Sequence, residues 1–588
     1  MGCRALRSRR DPSPLEGTME ALWKGVVAAS LPTATLSGPS RRLRPRSPPP
    51  PGRPTDSPLA GDFLLFASDL PPRHPFISRA RLSIFVELVY SCRSAEMTMV
   101  RCAMKRSILS GGIILGLLVL SAPRFCGEEP VRGTVWIEDV TVIDGTGASP
   151  LPHRNVLIEE GWITGIYPVD ESPLIEAEVR IDGRGEFLLP GLIDMHTHLL
   201  DLSVAGLFLP YGVTTVRDVG TPYEEIDRLL AGIEASGLAA PRILYAGGWI
   251  DGFPPSWPDS HILVDPAQAA PLVEELADAG VSVLKIYNNL TLDPLFDLVE
   301  SAREKGLHVT ADILFSTEID ASEGIEAGVK GLEHSSGIVQ WVYRDWIEAN
   351  GSENEYFFGL GTLDTWPDYD EARLEDLFSR MIDRGVYLTP TFIIVRQIAL
   401  LPDPPYDEEA AAHLSPKAKE YWYRLGYYTM SPLMENLLAF SQEVTRRYFE
   451  MGGRVIAGSD TPFPFVVPGT SLHQELELMV ASGIPPLAVI HGATGAAAGV
   501  LGRDDLGEVA VGKRADLLLL AGDPVADIAN TRQIAWVIHD GRPDRPEELL
   551  AELPRKVAAS GVPGSAAHLC AFERLLESDR GSSPPSSR

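Results

Sequence analysis

The sequence predicts an α/β protein: a (β/α)8 (TIM) barrel with a small β-sandwich domain formed from segments before and after it. Three observations predict it. From residue 191 onward, short apolar strands alternate with amphipathic helical patterns, and the strands end near His198, Val216, Ala246, Ile286, Ala311, His334, Pro390 and Gly458. Eight such strands over about 265 residues match the usual barrel size of about 250. Strand-only patterns lie on both sides of this region, and single polar residues recur at the strand ends, where a barrel builds its active face.

At 588 residues the chain is too long for one ordinary domain, and its composition divides it. Residues 1–103 are rich in Pro, Arg and Ser and hold 15 Lys+Arg against 8 Asp+Glu, which reads as a disordered or mis-assigned N-terminal extension. Met104-Lys105-Arg106 then leads into an almost wholly apolar or small run over 108–122. A charged start followed by about fifteen apolar residues marks 104–127 as a signal peptide or, if uncleaved, a membrane anchor through 104–122. Such a signal belongs at the start of a chain. Translation is therefore expected from Met104, or from Met97 or Met99, and the product is expected to be exported (periplasmic or extracellular) or membrane-anchored. A peptide from residues 1–90 in the native protein would contradict this.

Residues 131–190 plus 500–545 form the expected sandwich. Short strands at 134–137, 140–143 and 155–158 are separated by Gly/Asp/Pro clusters, and strand patterns return at 515–520 and 534–538. Residues 191–499 form the expected barrel, with helical patterns at 266–279, 292–305, 371–384 and 434–451. Residues 546–588 read as a polar C-terminal tail with a helical piece at 566–577. Two barrel insertions are aromatic: Trp341, Tyr343, Trp346, Tyr356, Phe357, Phe358 and Trp366 after strand 6, and Tyr406, Tyr421, Trp422, Tyr423, Tyr427 and Tyr428 after strand 7. A substrate lid and a cap packed on its own aromatics explain them equally well.

The net charge of −29 conceals an excess of 36 acidic groups after residue 103, where 36 Lys+Arg face 72 Asp+Glu. A body this acidic argues against nucleic acid as a partner and suits solubility. No cysteine falls within the barrel, the five being Cys3, Cys92, Cys102, Cys126 and Cys570, so neither a disulfide framework nor a thiolate metal site is available there.

His196-Thr197-His198 closes the apolar run 187–194. On a strand, residues i and i+2 share a face, so two imidazoles can grip one metal ion. Taken alone, a turn with two surface histidines explains the pair as well. Lys285 ends the apolar strand 281–286 in a chain with only nine lysines, His334 ends 331–334, and Asp460 follows 455–459. Separately these read as a solvated lysine, a locally satisfied histidine and a helix cap. Their convergence on one rim with His196 and His198 favours a metal centre.

These residues sit in recognisable phrases: Pro190-Gly191-Leu192-Ile193-Asp194-Met195-His196-Thr197-His198, Gly212-Val213-Thr214-Thr215-Val216-Arg217-Asp218, Glu333-His334, Ala457-Gly458-Ser459-Asp460 and Ala493-Thr494. With Gly507-Glu508-Val509-Ala510-Val511-Gly512-Lys513-Arg514-Ala515-Asp516-Leu517, they resemble the metal-dependent amidohydrolase superfamily over about residues 133–543. The nearest flavour is the branch of imidazolonepropionase-like proteins and Xaa-Pro or Xaa-Arg dipeptidases. The resemblance implies that His196, His198 and Asp460 hold the more buried metal. It implies that Lys285, carboxylated by CO2, bridges two metals and that His334 holds the second. A metal-bound hydroxide would attack the substrate carbonyl, and Asp460 would move the proton to the leaving nitrogen. Zinc is the expected metal, with Mn or another divalent ion as alternatives.

One position departs from the pattern. The family's second-metal histidine at the end of strand 5 is Asp312 here. His308 shares its strand face but lies four residues deeper, about 13 Å along a strand, and reads as a packing residue. Three readings follow: Asp312 ligates the second metal through oxygen, a single metal works, or the protein has lost hydrolysis and become a binding protein. The strand-4 lysine favours hydrolysis of an amide, peptide or ester, since by resemblance the one-metal deaminases and imidazolonepropionase lack it. The expected substrate is a dipeptide or N-acyl amino acid, with Tyr287 and Arg396 as candidates for its carboxylate. A surface ion pair is the plainer role for Arg396. The alternative is a lactonase or phosphotriester-type esterase on the same site. A homo-oligomer is compatible with all of these readings.

Overall fold

The computed structural model describes residues 134–560, apart from 174, 351–359, 361–362, 402, 417, 420–421 and 423–430. The expected extension, the export signal, the helical piece at 566–577 and Tyr356, Phe357, Phe358, Tyr421, Tyr423, Tyr427 and Tyr428 all lie outside the described residues. Among the described residues, no helix is long and apolar enough to cross a membrane.

Eight parallel barrel strands follow in chain order. Strands 1 to 4 are Leu192–Thr197, Val213–Asp218, Arg242–Tyr245 (resuming as Trp249–Asp251) and Leu284–Ile286. Strands 5 to 8 are Val309–Ala311, Gly331–Glu333, Tyr387–Thr389 and Arg454–Val455. They pair as two arcs, strands 1 to 3 and the Trp249–Asp251 segment through strand 8, with the short His261–Ile262 strand beside Trp249–Asp251. Backbone bonds join the arcs at both seams. Ser282 N–H donates to the Tyr245 carbonyl at 2.9 Å, and Met195 N–H to the Ala457 carbonyl at 3.1 Å. These strands are buried on both sides, and Leu332, Leu388, Ile286 and Val309 supply apolar packing there.

The intervening helices follow their sequence patterns. Helix Glu371–Asp383 buries Leu374, Leu377, Phe378 and Met381, the i, i+3, i+4, i+7 stripe, and Asp370 caps it by accepting from Arg373 N–H. Helices Leu292–Glu304 and Ser431–Glu450 lie where the periodicity predicts them.

The flanking segments form one eight-stranded mixed sheet, whose strand Val135–Val142 forks. Its first half pairs with Val179–Asp182, its second half with Phe187–Pro190, and its other edge with Leu151–Glu159. Ile181, Leu188, Val156 and Leu517, from both branches, share one core. One expectation is corrected here. The break between 134–137 and 140–143 is a β-bulge inside a single strand, with Asp139 at φ 53, because an extra residue in the left-handed region bends a strand without ending it. The apolar run 187–194 divides next to the 190/191 boundary read from the sequence, since Phe187–Pro190 joins the flanking sheet and barrel strand 1 starts at Leu192. Gly191 makes the handover, where a Cβ would sit 2.1 Å from Thr214 Oγ1. The tail also begins with order: helix Pro546–Ala559 buries Leu553.

Candidate metal centre

His196 lies on strand 1 and His198 just past its end, both buried, and Asp460 lies five residues past the end of strand 8. The two segments are stitched side by side: Asp460 N–H donates to the His196 carbonyl at 2.8 Å and His198 N–H to the Thr461 carbonyl at 2.7 Å. Gly458 permits this approach, since a Cβ there would lie 2.9 Å from His196 Cβ. Candidate ligand atoms of His196, His198 and Asp460 all fall within 4.8 Å of one another.

A cation fits these residues. Asp460 Oδ1 is buried with no aligned hydrogen-bond donor, 3.1 Å from His198 Nε2 and 3.5 Å from His196 Nε2. His196 Nδ1 lies 2.9 Å from Glu333 Oε2, an arrangement that assigns the ring proton to Nδ1 and leaves Nε2 bare toward the cluster. Nitrogen and oxygen donors of this kind suit zinc, manganese and similar divalent ions. Burial, aided by the Lys285 ammonium, pushes the His196 imidazole down to about 3, so it stays neutral as a ligand must.

The other sequence-derived candidates converge beside this triad. Lys285 Nζ is buried 3.5 Å from both Asp312 Oδ2 and His196 Nε2. Asp312 Oδ2 lies 3.2 Å from His334 Nε2, which is 3.8 Å from Asp460 Oδ2. Burial raises the Asp312 carboxyl, but His334 and Lys285 outweigh it and hold the group well below its usual range. Asp312 therefore occupies the expected histidine's place as an anionic oxygen donor. His308 stays out: it packs edge-on against Tyr387, with Nε2 3.3 Å from the phenol oxygen.

Backbone strain concentrates here. His334, Ser335, Thr391 and Asp460 have φ of 59, 55, 47 and 62. Left-handed conformations of non-glycine residues cost on the order of 1–3 kcal/mol each and persist where the surroundings dictate them.

Two functional residues were quoted in the motifs without being assigned a role. Glu333 and Arg217 are completely buried, and Arg217 Nη2 donates to Glu333 Oε1 at 2.6 Å while its Nε donates to the Met195 carbonyl at 2.6 Å. Burial works against a charged Glu333 and Arg217 works for it, leaving the carboxyl well below its usual range. A charge inside an apolar strand was the available signal. The partners stand 116 residues apart, so only the fold unites them.

The remaining candidates divide. Trp249 and Phe463 flank His198 with ring centroids at 5.7 and 5.4 Å, and Tyr287 lies 6.1 Å from Trp249 on the same side. Arg396 is not brought to the cluster: its charged neighbours are Glu475, Glu477 and Arg532. The described insertion aromatics pack largely on one another, Tyr343 with Trp366 and Phe440, and Tyr406 with Trp422 and Phe465, as a cap would. Trp422 also donates from Nε1 to the Pro462 carbonyl at 2.9 Å, two residues from Asp460.

Comparison with known proteins agrees with this geometry. The model of the amidohydrolase family matches residues 187–543. An imidazolonepropionase from Ectopseudomonas mendocina (strain ymp) is 26% identical over 432 residues, covering 69% of this chain and 94% of that protein. A crystal structure of a Xaa-Pro dipeptidase with bound methionine in the active site superposes with a TM-score of 0.53 at 21% identity, covering 70% of this chain and 99% of the other. A bottromycin amidohydrolase superposes with a TM-score of 0.55 at 22% identity, covering 74% of this chain and 92% of the other. At such identities the structural likeness is one of fold. The chain belongs to the amidohydrolase family, and it is a hydrolase of the kind that acts on carbon–nitrogen bonds.

Proposed function

We propose that this member of the amidohydrolase family cleaves the amide or peptide bond of a dipeptide or N-acyl amino acid, using one or two divalent cations held by His196, His198, Lys285, Asp312, His334 and Asp460. The observation that carries the reading is the position of Lys285, buried 3.5 Å from a ligand candidate of each metal position. A carboxylated lysine there would supply an anionic oxygen to both. A bound cation would lower the pKa of water and polarise the scissile carbonyl.

The chain's own residues supply the rest. Asp460 would take a proton from the attacking water and return it to the leaving nitrogen; its carboxylate lies 3.1 Å from His198 Nε2 and 3.8 Å from His334 Nε2. Glu333 fixes the His196 tautomer, and Arg217 holds Glu333. Trp249 and Phe463 shield the His198 side from water. Tyr287 remains the candidate for a substrate carboxylate. If 104–127 is an export signal, the reaction takes place outside the cytoplasm.

The test is a screen of metal-stripped protein reconstituted with Zn2+ or Mn2+ against dipeptides, N-acyl amino acids, lactones and phosphotriesters. Metal-dependent release of an amino acid supports the proposal. Turnover of lactones or phosphotriesters alone replaces it with an esterase, and inactivity of the metal-loaded protein on every class replaces it with a binding protein.

A further inference from the structure

Helix Phe392–Ala399 begins just after barrel strand 7, and its first amides have no acceptor within the helix. Glu475, from helix Thr470–Ala481 beyond strand 8, supplies one. Phe392 N–H donates to its Oε1 at 2.9 Å and Ile393 N–H to its Oε2 at 2.7 Å. This carboxyl is completely buried, and burial pushes it up to about 8 against the pull of the two amides and Arg396. An acid kept in so unfavourable a place calls for an explanation.

The residue before Phe392 is Thr391, a β-branched residue at φ 47. Its hydroxyl donates to the Pro390 carbonyl at 2.8 Å. With its hydrogen committed there, Oγ1 accepts from His334 Nδ1 at 2.5 Å. That contact fixes the ring so that its other nitrogen, Nε2, faces Asp312 at 3.2 Å. The connection thus runs from Glu475 through the helix start to Thr391 and on to the imidazole.

We propose that Glu475 is a positioning residue for the outer metal position: it anchors the start of helix Phe392–Ala399 and so holds Thr391 where it orients His334. The proposal rests on His334 being a metal ligand. The competing account is a helix cap that contributes stability alone.

Glu475→Gln keeps the shape but leaves one of the two N–H groups without an acceptor. Thr391→Val removes the hydroxyl while leaving Glu475 in place, which covers the case in which the first variant does not fold. Metal-stripped proteins are titrated with Mn2+, and the metal-free variants are crystallised. Both variants are expected to weaken the looser equivalent by about tenfold or more, with the tighter one within about twofold, since such supporting contacts typically govern 10–100-fold in affinity. In Glu475→Gln crystals the Thr391–His334 contact is expected to be broken. Retention of the looser equivalent at wild-type affinity, or an intact contact in Glu475→Gln, overturns the proposal whatever happens to Tm. A wild type that takes only one equivalent refutes the two-metal reading, and the crystal contact then decides the role of Glu475 on its own.

Discussion

His196, His198 and Asp460 stand at the ends of strands 1 and 8, and Asp312 and His334 one residue past strands 5 and 6; backbone bonds tie both sets to neighbouring strands, and His334 leans in addition on a threonine beyond the sheet. His196 leans on the buried anion Glu333, itself held by Arg217; His334 leans on a neutral hydroxyl. An anionic acceptor behind an imidazole raises its basicity toward a metal more than a hydroxyl does. The two positions therefore differ in the partner behind the imidazole, and the inner one would hold an ion more tightly. The outer one has Asp312 where the resemblance leads one to expect a histidine.

The largest effect that would break this contrast is expected at Asp460. Asp460→Asn removes the proposed ligand and proposed proton carrier, and kcat should fall by about 10²–10⁴ on the carrier role alone; a kcat within tenfold of wild type would contradict it. Lys285→Ala comes next. It should abolish any activity that needs two ions while the tight ion stays bound, measured as kcat beside metal content. Glu333→Gln should cost the inner ion about 10–100-fold in affinity, read by chelator competition. It should also lower Tm, because Arg217 would be left as a buried, poorly compensated cation. Asp312→His restores the family's donor, and the looser equivalent should then move its preference from Mn2+ toward Zn2+ in a competition titration.

The smallest effect concerns His308, the histidine outside both positions. Burial, with Arg217 adding to it, pushes this imidazole down to about 4 from an ordinary 6.5. A depressed histidine contributes stability that is fully present above about 6.5 and is lost as pH falls toward about 4. Between pH 7 and 5 the wild type should therefore lose more Tm than His308→Gln, with metal content unchanged in both. Loss of metal from His308→Gln would show that it is no mere packing residue.

What sequence could reveal follows the same division. Strand ends, the His196–His198 pair, Lys285 and Asp460 were legible because a barrel places its chemistry at strand ends and because a lysine or histidine closing an apolar run is conspicuous. The supporting residues were not. Arg217 and Glu333 stand out locally only as charges inside apolar strands, Glu475 and Thr391 not at all, and each pair is brought together only when strands and helices far apart in the chain are packed. Local geometry hid the bulge at Asp139, since a turn-like residue pair does not show whether a strand ends or only bends. Arg396 looked suited to a substrate carboxylate from its type alone, and its helix turns it toward Glu475 and Glu477 instead.

The central claim is that one divalent ion is held tightly by His196, His198 and Asp460. It is tested most directly by counting metal ions per chain, by elemental mass spectrometry after dialysis against a weak chelator, in wild type, Asp460→Asn and Asp312→Asn. One tightly held ion in the wild type, kept by Asp312→Asn and lost by Asp460→Asn, is the predicted result. Loss from Asp312→Asn with retention by Asp460→Asn would contradict the account.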